Sequence, residues 1–223
     1  MAELTEPAWG AVADRTRIGR GTTVLDVGCG TGGFCRLAAA RGADVHGVDA
    51  APDQVAQARR RLPGADVRVA FMEELPWERD TFDVVTAFNA LQYALDIDLA
   101  LAEAVRVARP GGQVALCKYG RPADNEFFAF LAALDPGRVR LGDLPEQDPV
   151  DAALDRQGHP VAAVGEIPTA MMFSSADSLA AAVQEAGSET GPGEVDAAAA
   201  AYRRADGSYR FQSRLMYRIV TVT

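Results

Sequence analysis

The amino-acid sequence predicts an α/β protein whose strands lie parallel and are joined by helical crossovers. Three observations carry that prediction. The stretch Val24 to Phe34 reads as a short apolar strand, a glycine-rich bend and a helix start. Around and after it, four strand-helix units follow one another within about 100 residues, which implies right-handed crossovers and a parallel sheet. Finally, the turn dipeptide Asp206-Gly207 precedes a β-rich tail, Ser208 to Val222, carrying Tyr209, Phe211, Leu215, Tyr217, Ile219 and Val220.

Taken in order, Pro7 to Thr16 is expected to be a helix with Pro7 in its first turn, ended by Gly19 and Gly21. Val24, Leu25 and Val27 make the first strand; Gly28, Gly30, Gly32 and Gly33 let the backbone bend and approach a ligand. Phe34 to Arg41 continues as a helix stopped by Gly42, and Asp44 to Asp49 is the second strand. Pro52 to Leu62 is the next helix, stopped by Pro63-Gly64, and Asp66 to Phe71 alternates as a third strand. Phe82 to Phe88 is the fourth strand. Asp98 to Ala108 places Leu101, Ala104, Val105 and Ala108 at helical spacing, and the turn Arg109-Pro110-Gly111-Gly112 leads to a fifth strand, Gln113 to Tyr119.

The second half is less patterned. Asn125 to Leu134 reads as an aromatic-rich helix, Gly137 to Pro149 as a loop, and Val150 to Gln157 as a helix. Val161 to Phe173 is an extended region whose Pro168 suits an edge strand or a bulge. Ser178 to Ala186 and Val195 to Ala205 are alanine-rich helices by propensity.

Composition narrows the function classes. The chain has 223 residues, 48% hydrophobic and 24% charged, with a net charge of -9. That suits one domain with a sizeable core. Lys118 is its only lysine, which argues against a nucleic-acid face; Arg59, Arg60 and Arg61 are adjacent but spread around a helix axis as a solvated face. Cys29, Cys35 and Cys117 lack metal-site spacing and read as small buried residues in a reducing compartment, and no metal is expected. There is no apolar run of about 18 residues and no basic leader. The expectation is a cytoplasmic protein with no membrane and no nucleic-acid partner.

Gly28, Gly30 and Gly33 satisfy the Gly-x-Gly-x-x-Gly dinucleotide pattern, with Asp49 about 20 residues beyond the first glycine. Asp26 discriminates, because a carboxylate at the end of the first strand repels a diphosphate and accepts a cationic sulfonium amino acid. Asp26-Val27-Gly28-Cys29-Gly30-Thr31-Gly32 resembles the first motif of the class I S-adenosylmethionine-dependent methyltransferases. The Arg109-Pro110-Gly111-Gly112 turn and the Phe82-Asp83 strand start are similar to later motifs of that family, so the likeness covers Gly21 to Tyr119 and, more loosely, the rest. It implies a doubly wound, mostly parallel seven-stranded sheet with the last strand antiparallel, and a single domain over residues 1–223 with lid segments at 1–20 and 121–149.

The resemblance also implies S-adenosyl-L-methionine as cofactor, a small-molecule methyl acceptor, and a binding set of Asp26, Gly28, Gly30, Thr31, Asp49, Ala50, Met72 and Asn89. Asp49 reads as the ribose ligand, or otherwise as a charge at the helix start before Pro52. Trp9 is a wall of the methionine pocket or a packing residue. Phe71-Met72-Glu73-Glu74-Leu75-Pro76-Trp77 is similar to the family's adenine segment, yet Phe71 stands where an acid is usual. Asn89 and Gln92 are candidates for cofactor or substrate contacts. Tyr93 faces substrate or packs half-buried. His46 reads as core or surface, and His159 is the one histidine to test as a base, against a purely structural role. Asn89-Ala90-Leu91-Gln92 replaces the Asn-Pro-Pro-Tyr and Asp-Pro-Pro-Tyr motifs of adenine- and glutamine-directed methylases, which favours a small acceptor. Two other readings remain open: a nicotinamide-dependent oxidoreductase, disfavoured by Asp26 and by the lack of a Tyr-x-x-x-Lys pair, and a non-catalytic cofactor-binding partner or sensor.

Overall fold

A computed structural model describes residues 5–120, 125–135 and 148–223. The strands β1 (Thr23–Val27), β2 (Asp44–Asp49), β3 (Asp66–Val69), β4 (Phe82–Phe88), β5 (Ala108–Tyr119), β6 (Val161–Phe173) and β7 (Tyr209–Thr221) form a seven-stranded sheet of order β3-β2-β1-β4-β5-β7-β6. The pairs β1-β2, β1-β4, β2-β3 and β4-β5 are parallel. β7 enters antiparallel, as expected: Gly111 N–H donates to Val222 O at one end of its pairing with β5, and Gly120 N–H to Arg214 O at the other.

The chain divides into two compact units. The first comprises Met1–Lys118, Gln147–Ile167 and Leu215–Thr223; the second comprises Tyr119–Glu146 and Pro168–Arg214. In the first unit α1 (Glu6–Arg15), α2 (Gly33–Ala40) and α3 (Pro52–Arg61) contribute to one apolar cluster that includes Trp9, Phe34, Val45 and Val55. α4 (Ile97–Val107) and α6 (Pro149–Gln157) contribute to another, around Leu25, Phe82, Leu101 and Leu154. Two buried clusters on a parallel sheet explain why its central strands are apolar throughout rather than alternating. In the second unit α5 (Glu126–Leu134), α7 (Ala176–Glu185) and α8 (Pro192–Ala198) pack with Tyr209 and Phe211 in a third cluster. The lid segments expected at 1–20 and 121–149 lie partly outside the described residues, as does most of the loop expected at 137–149.

Three expectations are corrected. β3 ends at Val69: Ala70 N–H makes the last ladder bond, to Asp49 O, and Glu74 N–H then bonds to Phe71 O, closing a turn. Residues 109–112 do not precede β5 but lie inside it as a bulge: Phe82 pairs with Ala108, whereas Val84 pairs with Gln113. Gly112 is required there, since a Cβ would come within 2.9 Å of Asp83 O and 2.8 Å of Arg109 O. The helix expected over Val195–Ala205 starts earlier, at Pro192, and ends at Ala198, followed by a single 3₁₀ turn, Ala200–Tyr202. Pro at its first turn sets that start, a signal outweighed at the sequence level by the alanine run. Pro168 lies in β6, the outermost strand.

Candidate functional site

The site is built at the carboxyl ends of β1, β2 and β4. After β1 the backbone bends at Gly28, whose N–H donates to Val48 O at 2.8 Å; Cys29 N–H donates to the same oxygen at 2.9 Å. Gly28 has φ +71°, and a Cβ there would come within 2.5 Å of Ala90 Cβ. Both the left-handed backbone and the close approach therefore demand glycine. α2 then starts at Gly33, against which the Trp9 indole packs with no room for a side chain. Trp9 is edge-on to Phe34 and Phe88, each at 6.5 Å between ring centres, and its Nε1–H donates to Thr5 Oγ1.

Asp26 is 3% exposed and lies opposite Gly47 on β2 and Thr86 on β4. Thr86 Oγ1–H donates to its Oδ1 at 2.8 Å, and the Cys35 thiol faces its Oδ2 at 3.8 Å. Burial pushes the Asp26 carboxyl up to about 7; the bonds from Thr86 and Cys35 oppose the rise, and the Asp49 charge adds to it. Near neutral pH this group is divided between acid and carboxylate. Burial likewise pushes the Cys117 thiol up to about 12. All three cysteines are buried and free.

Asp49 closes β2 with both oxygens engaged: Oδ2 accepts from Gly30 N–H at 2.8 Å and Oδ1 from Ala51 N–H at 2.9 Å. It thereby ties the bend to the start of α3. Each carboxylate oxygen retains a second lone pair. At the end of β4, Asn89 adopts φ +53°, an uncommon left-handed conformation that asparagine tolerates better than most residues. Its N–H donates to Cys117 O at 2.7 Å and its Oδ1 accepts from Gln92 Nε2 at 3.0 Å.

Asp26, Gly28, Gly30, Thr31, Asp49 and Asn89 line one cavity of about 690 Å³. Gly28, Asp49, Ala50, Met72, Asn89 and Tyr93 line a second of about 320 Å³. Gly28, Asp49 and Asn89 are shared, so all eight candidate binding residues converge on two adjoining spaces. Tyr93 stands at the rim of the second, 64% exposed. His159 lines neither cavity. Its neighbour Pro160 O accepts from Thr221 N–H, beside the Val222 that pairs with Gly111 and Gly112, which puts His159 at the amino edge of the sheet, opposite the bend. His46 is half-buried on β2, edge-on to Trp77 and Phe82 and 3.7 Å from Asp44 and Asp66.

Sequence reasoning missed Phe34, Phe88, Gln54 and Arg61 as walls of the larger cavity, and Thr86 as the partner of Asp26. Arg61 reaches Thr31 Oγ1 at 2.6 Å and Arg59 Nε–H donates to Val67 O, so two of the three adjacent arginines serve the fold while staying exposed. Among the described residues no group of three His, Cys, Asp or Glu is placed to hold a metal ion, and no helix is long and apolar enough to cross a membrane.

A sheet of this order, with an acid before the glycine bend and another closing β2, defines a Rossmann-like class I methyltransferase fold. Residues 25–116 match a protein-family model described as a methyltransferase domain. The chain is 33% identical over 129 residues to a demethylmenaquinone methyltransferase of Clavibacter sepedonicus, covering 54% of this chain and 52% of that one. It spans about half the length of the curated relatives it matches. In fold it is similar to a putative methyltransferase from Bacillus halodurans C-125, with TM-score 0.67, 16% identity, and 96% and 97% of the two chains covered. It is also similar to geranyl diphosphate C-methyltransferase from Streptomyces coelicolor A3(2), solved in complex with Mg2+, geranyl diphosphate and S-adenosyl-L-homocysteine. There the TM-score is 0.62 and the identity 18%, with 100% of this chain and 82% of that one covered.

Proposed function

We propose that this chain is an S-adenosylmethionine-dependent methyltransferase acting on a small-molecule acceptor. The observation that carries the reading is a buried carboxylate, Asp26, lining the same cavity as a glycine-rich bend. The cofactor's amino-acid end is cationic at the sulfonium and the amine, so it compensates Asp26, whereas a dinucleotide would put a diphosphate there. The methyltransferase-domain match over residues 25–116 and the S-adenosyl-L-homocysteine held by the geranyl diphosphate enzyme support the same cofactor.

The residues present fit that group. Gly28 and Gly30, both at positive φ, line the larger cavity with bare backbone, and Asp49 offers spare carboxylate lone pairs to a ribose diol at the junction of the two cavities. The apolar wall of the smaller cavity, from Val48 to Ala70 and Met72, suits a purine. When bound, S-adenosylmethionine supplies an activated methyl group on a sulfonium, so the protein's task is to position the partners and exclude water. Trp9, Phe34 and Phe88 form the apolar wall of the larger cavity, and Asn89, held by Gln92, stands between the two. A base is required only for an acceptor that still carries its proton. Of Tyr93 and His159 only Tyr93, at the rim, lines one of these two cavities; His159 would need an acceptor at the other sheet edge.

Calorimetry of the full chain with S-adenosylhomocysteine and with NAD tests the reading. Binding of the first and not the second is expected; the reverse would overturn it. Transfer of labelled methyl from S-adenosylmethionine to a component of a metabolite extract then separates an enzyme from a sensor, and no transfer to any component would count against catalysis.

A further inference from the structure

Two acids and one cation line the larger cavity. The acids are Asp26 and Asp49; the cation is Arg61, the last residue of α3 and the one basic side chain among the described residues of that lining. A cation at a helix end favours the helix dipole, a role that Arg59 and Arg60 share. Arg61 does more, because it reaches across to the bend with a single nitrogen: Nη1 donates to Thr31 Oγ1 at 2.6 Å and to Thr31 O at 3.3 Å. Its other edge, Nε and Nη2, meets no acceptor among the described residues. That is the edge with which arginines of this chain hold carboxylates. Arg68 holds Asp66 through Nε and Nη2, and Arg106 holds Glu103 and Arg156 holds Asp98 in the same way.

Resting on the cofactor reading above, we propose that Arg61 recognises the carboxylate of the cofactor's amino-acid end, turning Nε and Nη2 to it while Nη1 stays on Thr31. That end carries an amine and a carboxylate on one carbon. Asp26 compensates the amine, but a carboxylate set beside Asp26 or Asp49 would be repelled, and Arg61 is the counter-charge that the lining offers it. The planar guanidinium matches a carboxylate with two parallel bonds, which fixes orientation as well as charge. Because Arg61 is exposed, solvent screens the pair, and its effect is selectivity for a ligand with the carboxylate more than a dominant share of affinity. Arg61 is thus a specificity-determining residue contributed by α3 rather than by the bend.

The test is calorimetry of the full chain with S-adenosylhomocysteine and with its decarboxylated analogue, in which hydrogen replaces the carboxylate and the amine is kept. The wild-type chain should prefer the first by about tenfold, the size of a charge-assisted hydrogen bond. Arg61→Met, a change at an exposed position, should abolish that preference by weakening S-adenosylhomocysteine about tenfold while leaving the analogue within about twofold. Arg61→Lys, which keeps the charge and loses the planar fork, should retain part of the preference. Equal loss of both ligands in Arg61→Met would overturn the proposal, since that is what loosening the bend through Thr31 alone would do. A wild-type chain that does not distinguish the two ligands, or an Arg61→Met chain that distinguishes them as well as wild type, would overturn it too. Failure of both ligands to bind the wild-type chain would instead remove the cofactor reading, and this inference with it.

Discussion

Asp26→Asn isolates the cost of keeping a carboxylate in the centre of the sheet. The carboxyl moves from 3.8 to about 7 on folding, chiefly through burial. A raised acid pKa means that the folded state binds more protons than the unfolded state between those two values. The stability associated with the neutral form is therefore complete below about 3.8 and lost as pH rises toward 7. At about 1.4 kcal/mol per pH unit, the difference amounts to roughly 4 kcal/mol in all. Asparagine has the same shape and no titration, so the gap between variant and wild type should widen by roughly 1.4 kcal/mol per unit from pH 5 to pH 7 and flatten above. Urea denaturation of both proteins at pH 5, 6, 7 and 8 measures it. The same variant should bind S-adenosylhomocysteine more weakly while unfolding at higher denaturant near pH 8. A gap independent of pH would refute the assignment of a buried, proton-sharing carboxyl.

Asp49→Asn should weaken S-adenosylhomocysteine binding at least tenfold, since the variant turns an N–H2 toward either Gly30 N–H or Ala51 N–H and loses charge-assisted bonding to the ribose worth about 1.5 to 3 kcal/mol. Unchanged affinity by calorimetry, with an unchanged Tm, would take Asp49 out of the site. Gly28→Ala should cost at least about 2 kcal/mol in urea denaturation, from the left-handed backbone and the approach to Ala90 together. Adding Ala90→Gly should recover the steric part alone, and full recovery in that double-mutant cycle would show that the backbone angle contributes nothing.

Much of the first unit was legible because its signals are local. β2 and β4 match their expected bounds, β1 differs by a residue, and the helices between them keep their proline and glycine boundaries. The acid, the bend and the second acid could be read in order because the chain itself brings them to one sheet edge. What was not legible depends on register. Thr86 becomes the partner of Asp26 only when β4 pairs with β1, and nothing in the spacing of the two residues shows it. The Arg109–Gly112 segment has turn composition and does bend, but whether it bends before a strand or within one is decided by the pairing of Phe82 with Ala108. His159 lies between α6 and β6, in the gap left by the expected helix to Gln157 and strand from Val161. The edge of the sheet on which that junction falls follows from β7 running antiparallel and pairing Val222 with the start of β5.

The edge-on packing of Trp9 with Phe34 and Phe88, over Gly33, has a consequence for how the pocket comes into being. Its aromatic wall joins a residue that precedes β1 with one that emerges only after three strands have been laid down. No N-terminal fragment stopping short of β4 can contain that wall, however well its glycine bend has formed. During biosynthesis the indole must wait, solvent-facing, until the fourth strand arrives to receive it.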